Sequence, residues 1–284
     1  MKNNLLGAHF SIAGGLHKSF DHADKYQSTA MQIFTQNSHT WKIRELEKSD
    51  IEKFLNRKKE SGVKSIISHA GYLINLAGSD PEKREKSFQS MKGELLRAEQ
   101  LGIENLVLHP GSHTKTSVEE GVGRISESIN ILLNDNSLGN TTILFETTAG
   151  QGDSVGHSLE DIQEIIERID QTERVGLCID TCHVFAGGYD IRTEAGYNDF
   201  VNEIDNRFGT ESVKCIHLND SKKDLGSRVD RHEHIGEGFI GGKAFELIMS
   251  DPRFAHAPKI IETATEKDGL DMNKINFDRL LAKG

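Results

Sequence analysis

Positive charge is in short supply: 34 Lys and Arg stand against 44 Asp and Glu, a net charge of −10, which taken alone argues against a nucleic-acid partner because phosphate binding favours an excess of cations. Only three cysteines occur, Cys178, Cys182 and Cys215. They cannot all pair with one another, and each lies in or beside an apolar run, so a disulfide-stapled secreted scaffold is excluded and reduced thiols are expected. Four prolines in 284 residues exclude a collagen-like or proline-rich chain. No stretch approaches the roughly 20 apolar residues that cross a bilayer, and Met1 to His9 lacks the apolar centre of a signal peptide. A cytoplasmic protein with no membrane partner is the expectation.

What is abundant is short apolar runs, bounded by turns and separated by helical patterns. The runs are Leu5 to His9, Met31 to Thr35, Ile66 to His69, Leu106 to His109, Ile143 to Glu146, Val175 to Asp180, Val213 to His217 and Ile260 to Glu262. Unbroken apolar runs suit strands buried on both faces, as in parallel sheets. Between them, Asp80-Pro81 opens a helix carrying Phe88, Met91, Leu95 and Ala98, and Ser117 with Glu120 forms a capping box ahead of Val122, Ile125, Ile129 and Leu132. Ser158 starts another, and weaker patterns cover 16–26, 50–59, 199–208, 242–249 and 272–281. Successive strand ends from Thr35 onward lie roughly 34 to 45 residues apart, about one strand-helix unit each. The expected fold is α/β, a single eight-stranded parallel barrel of the TIM type over residues 1–284, with an open doubly wound sheet as the alternative.

Thirteen histidines are the informative excess. Six runs end in a side chain able to bind metal: His69, His109, Glu146, Asp180, His217 and Glu262. In a parallel barrel all six lie at the C-terminal face, where barrel enzymes keep their active sites. Imidazoles and carboxylates converging there need a cation to balance them. Just past strand ends, Asp180 with His183, and Asp230 with His232, extend the set; mixed carboxylate and imidazole donors suit zinc or manganese better than calcium or magnesium. Gly236 to Gly241 spells a dinucleotide fingerprint, but a charged, histidine-rich loop precedes it where a strand is required.

Three segments together carry a resemblance: Leu108-His109-Pro110-Gly111-Ser112-His113, Cys178-Ile179-Asp180-Thr181-Cys182-His183-Val184-Phe185-Ala186-Gly187-Gly188, and His217-Leu218-Asn219-Asp220-Ser221-Lys222 followed by Gly226-Ser227-Arg228-Val229-Asp230-Arg231-His232. Over essentially the whole chain the sequence resembles the endonuclease IV family of apurinic/apyrimidinic endonucleases. The resemblance implies a zinc-dependent barrel that cuts duplex DNA on the 5′ side of an abasic site, leaving a 3′-hydroxyl and a 5′-deoxyribose phosphate, with 3′-end cleaning as a further activity. It implies three zinc ions, manganese being an option at one. His69, His109 and Glu146 would hold the first, Glu146, Asp180, His217 and Glu262 the second, and His183, Asp230 and His232 the third, with Glu146 catalytic as well. Three divalent ions would bring the net charge from −10 to −4.

The resemblance also places Tyr72 and Leu73 in the gap that an abasic site leaves in the duplex. His39 stands where the family often has an inserting arginine. Lys222, Arg228 and Arg231, beside the metal loop, are expected to hold flanking phosphates, and the enzyme is expected to be a monomer. Two rival readings are a divalent-metal sugar isomerase or epimerase on the same barrel and a noncatalytic DNA-damage binder. The imidazole-rich mouth counts against the first and the nine-ligand set against the second.

Overall fold

A computed structural model describes residues 5–282; the reading of residues 1–4 lies outside the described residues. Eight strands form one parallel sheet: β1 (Leu6–Ala8), β2 (Ala30–Phe34), β3 (Ser65–His69), β4 (Asn105–Leu108), β5 (Thr142–Glu146), β6 (Val175–Asp180), β7 (Val213–His217) and β8 (Lys259–Ile261). They pair in sequence order from β2 to β8, and β8 pairs with β1. Between the two ends, a parallel bridge joins His9 to Gln32, and the Phe10 amide donates to the Gln32 carbonyl at 2.8 Å. The sheet therefore closes into a TIM-type barrel. Closure at this seam requires glycine at position 7, where a β-carbon would fall 1.9 Å from the Ala30 carbonyl oxygen.

The helices ring the barrel: α1 (Ser19–Lys25), α2 (Lys48–Glu60), α3 (Pro81–Gln100), α4 (Val118–Leu133), α5 (Leu159–Glu167), α6 (Thr181–Gly187), α7 (Glu194–Phe208), α8 (Gly242–Ser250) and α9 (Met272–Leu281). Local chemistry starts them as expected. Asp80 accepts from the Glu82 and Lys83 amides ahead of α3, and Ser117 and Glu120 complete the reciprocal cap of α4. The apolar faces bury against the outside of the strands. Two helices differ most from the sequence reading: α7 begins at Glu194, five residues early, because Thr193 caps it, and α6, which no pattern announced, follows β6 directly and carries Cys182.

The barrel interior explains where the site falls. Ala30, Ile67, Val107, Leu144, Cys178, Cys215 and Ile260 pack together inside it. Side chains alternate faces along a strand, so the residue two further on points inward again, one layer nearer the C-terminal mouth. Those residues are Gln32, His69, His109, Glu146, Asp180, His217 and Glu262, and the same step from Gly7 on β1 reaches His9. Among the described residues no helix is long and apolar enough to cross a membrane.

Candidate metal centre

The nine proposed ligands arrive at the mouth in three groups, and within each the donor atoms lie within 4.8 Å of one another: His69, His109 and Glu146; Glu146, Asp180, His217 and Glu262; His183, Asp230 and His232. Glu146 is central. One carboxylate oxygen lies 3.1 Å from His69 Nε2 and 2.9 Å from His109 Nε2, and the other lies 3.0 Å from His217 Nδ1 and 3.4 Å from His183 Nδ1. In the second group, His217 Nδ1 is also 3.1 Å from Glu262 and 3.8 Å from Asp180. In the third, Asp230 stands 3.2 Å from both His183 and His232.

Backbone carbonyls aim the rings. His69 Nδ1 lies 2.8 Å from the Ala70 carbonyl and His183 Nδ1 lies 2.8 Å from that of Thr147. A carbonyl only accepts, so each ring carries its proton there and turns Nε2 inward, the arrangement common among metal-binding histidines. Asp180 divides its carboxylate: one oxygen accepts from the His183 amide and caps α6, while the other accepts from Asn219 Nδ2 at 2.6 Å. His232 Nε2 is buried without a hydrogen-bond partner. A buried ring nitrogen left in this way, among carboxylates and two other aimed rings, fits a divalent cation.

Electrostatics show what balances these charges in the absence of a cation. Burial raises the Glu146 carboxyl, but His109 and His217 outweigh it and hold it well below its ordinary 4.5; Glu262 is likewise held down by His217 against its burial. Burial lowers His183 and His217, yet Asp180 and Asp230 around the first, and Cys178, Glu262 and Glu146 around the second, hold both rings well above 6.5. Raised imidazoles stabilise the fold fully below 6.5, and that contribution is lost as pH rises through their folded values; depressed carboxylates stabilise it above 4.5 and lose this as pH falls. Metal-free protein should therefore lose thermal stability from neutral to alkaline pH, whereas zinc affinity should increase as the rings lose protons. Melting curves with chelator and with zinc across that range check both. A metal-free melting temperature that climbs with pH would count against the assignment.

In the third group His183 comes from α6, while His232 lies on a small antiparallel hairpin, Asp220–Ser221 against His232–Glu233, with Asp230 in the segment that joins its strands. Its anchor is Asp220, fully buried, whose carboxylate accepts from the amides of Ser221, Gly236, Gly238, Ile240 and Gly241 at 2.8 to 3.3 Å. The glycine-rich segment is thus a backbone nest wrapped around the chain's own carboxylate. At Gly238 a β-carbon would lie 2.5 Å from an Asp220 oxygen.

The DNA-facing candidates lie around this mouth. Tyr72 is 61% exposed, its ring 5.1 Å from that of the exposed His39, and its amide donates to the Ser38 carbonyl, so the loops after β2 and β3 are joined into one surface. Leu73 is half-buried beside it. Between Tyr72 and the metal groups opens a cavity of about 300 Å³ lined by His69, Tyr72, Asn75, His109, Gln151 and Asp230. Lys222, Arg228 and Arg231 are exposed, and Arg231 donates to the Asp230 carbonyl. The sequence reading missed His9, Gln32, Asn219 and Asp220. His9 carried the same signal as the six, since its run also ends in histidine.

The cysteines are free and buried. Cys182 stands near Asp180 and His232, but burial, with Asp180 beside it, pushes its thiol up to about 12, which keeps it protonated and structural.

The family model described as a xylose isomerase-like TIM barrel matches residues 20–280. A probable endonuclease 4 from Chloroflexus aurantiacus is 47% identical over 263 residues, covering 93% of this chain and 92% of that protein. The chain belongs to the endonuclease IV family. A probable endonuclease 4 from Geotalea daltonii is 45% identical over 277 residues, 98% of this chain and 97% of the relative. The crystal structure of endonuclease IV from Thermus thermophilus superposes with a TM-score of 0.84 at 32% identity, covering 98% of this chain and 99% of that one. Membership in the endonuclease IV family makes the chain an AP endonuclease, a hydrolase on a TIM barrel.

Proposed function

We propose that the chain hydrolyses the phosphodiester on the 5′ side of abasic sites in duplex DNA, leaving a 3′-hydroxyl and a 5′-deoxyribose phosphate, and cleans damaged 3′ ends at the same centre. It works as one barrel domain, a monomeric cytoplasmic repair enzyme with three zinc ions, one position being open to manganese. The observation that carries this reading is the convergence of nine donors into three groups, two of which share Glu146. His69, His109 and Glu146 would hold one ion, Glu146, Asp180, His217 and Glu262 a second, and His183, Asp230 and His232 the third. When bound, such ions supply an activated water at neutral pH and neutralise charge on the phosphate and the departing 3′-oxygen.

The chain's own residues do the rest. Glu146, with both oxygens turned into the centre, orients the attacking water and takes its proton. Lys222, Arg228 and Arg231 hold flanking phosphates, and three divalent ions, bringing the net charge from −10 to −4, would concentrate positive charge where the phosphate sits. Tyr72, Leu73 and His39 meet the strand at the lesion, where a nucleotide without a base is cheap to extrude. Incision of abasic duplex before and after chelation tests the reading: it predicts cleavage with no added magnesium, survival of brief chelation, and loss on prolonged chelation that zinc restores. Cleavage restored by magnesium alone, or a protein that keeps cutting after prolonged chelation, would refute it.

Truncating Tyr72 and Leu73 together to alanine should weaken abasic-duplex binding by the equivalent of roughly 1 to 3 kcal/mol, the value of an aromatic-base stack, while zinc content stays unchanged. His39→Arg should tighten binding and steepen its salt dependence, since it adds a cation at the same surface. Fluorescence anisotropy at several salt concentrations checks both. Unchanged binding in the two variants would move the recognition surface to other loops.

A further inference from the structure

Of the eight inward positions at the mouth, seven hold histidine, glutamate or aspartate, and only β2 supplies a neutral side chain, Gln32. That side chain is fully buried, and each of its polar atoms is committed. Its Nε2 lies 2.6 Å from Glu262 Oε1 and 3.0 Å from His9 Nδ1, while its Oε1 lies 2.8 Å from His217 Nε2. We infer that Gln32 is a positioning residue of the metal centre, fixing His217 with its proton on Nε2 and turning Glu262, so that His217 Nδ1 and Glu262 Oε2 are presented together to one cation.

The argument rests on which atoms can donate. An ionised carboxylate accepts only, so the amide must turn its NH₂ toward Glu262, and its carbonyl oxygen is left facing His217. That assigns an orientation that amide geometry alone leaves ambiguous. A carbonyl oxygen in turn accepts only, so His217 must carry a hydrogen on Nε2. In the neutral ring, Nδ1 then keeps its lone pair, and Nδ1 is the atom facing Glu146 and Glu262 at 3.0 and 3.1 Å. The second NH₂ hydrogen goes to His9 Nδ1, which places the His9 proton on Nε2. Gln32 therefore does for His217 what the Ala70 and Thr147 carbonyls do for His69 and His183, and for Glu262 it occupies Oε1 and turns Oε2, which also accepts from Asn219 Nδ2 at 3.3 Å, toward the centre. Neither leucine nor glutamate can do both: leucine offers no donor or acceptor, and glutamate keeps the acceptor but sets a second carboxylate against Glu262.

This inference rests on His217 being a ligand, and the test separates the two. In zinc-loaded protein with ¹⁵N-labelled histidine, long-range NMR correlations should place the His217 proton on Nε2. Gln32→Leu should weaken binding of one zinc by about 10- to 100-fold, the usual effect of removing such a partner, with the other two ions and the cold far-UV spectrum unchanged. Gln32→Glu should keep the proton on Nε2, and this variant, which retains the side chain's size, carries the test if the leucine variant does not fold. A His217 proton found on Nδ1, or unchanged zinc affinities in Gln32→Leu when His217→Ala loses an ion, would overturn the inference. If His217→Ala itself keeps all its zinc at full affinity, the ligand assignment falls first and takes the role of Gln32 with it.

Discussion

Glu146→Gln is expected to lower incision at an abasic site by about a thousandfold or more while leaving most DNA binding in place. Glutamine keeps the side chain's volume but removes the charge that two ion positions share and the group proposed to take a proton from water. The geometry makes this the most sensitive position in the molecule, since one carboxylate lies within 3.4 Å of four imidazole rings. Single-turnover incision and gel-shift binding, measured on protein of known zinc content, separate chemistry from binding. Incision within tenfold of the unchanged protein would place the catalytic carboxylate elsewhere.

The second large effect is expected at a residue that is itself no proposed ligand. Asp220→Asn should cost about 3 kcal/mol of stability, because the new NH₂ faces amide hydrogens where a carboxylate oxygen accepted several of them. The consequence reaches the metal centre, because Asp220 holds both the glycine-rich nest and the hairpin that carries His232. Zinc content should drop by one ion per chain as the third group loses its geometry. Thermal melting and elemental analysis of the same sample check this. Full zinc content at an unaltered melting temperature would mean that the hairpin holds its shape without the nest.

The barrel and most of the centre were legible in the sequence for one reason: a parallel strand buried on both faces is an apolar run, and its first polar residue marks where the chain leaves the core. His69, Glu146, Asp180 and His217 close such runs, and His109 and Glu262 come one residue after theirs. Gln32 escaped this logic because it lies inside a strand that continues to Phe34, and its inward direction is visible only once the register with β3 is known. Helix α6 was hidden by its length of seven residues and by Thr181, Val184 and Gly187, which are poor helix formers; what starts it is the cap from Asp180, a residue already read as a ligand. Asp220 gave no signal because its partners are backbone amides sixteen to twenty-one residues away, and backbone donors leave no trace in a sequence.

The central claim, a three-ion centre that cuts at abasic sites, is tested most directly by measuring zinc per chain and abasic-site incision on the same purified sample. The account predicts three zinc ions per chain and incision that needs no added metal. One ion or none in a sample that incises at full rate would contradict it.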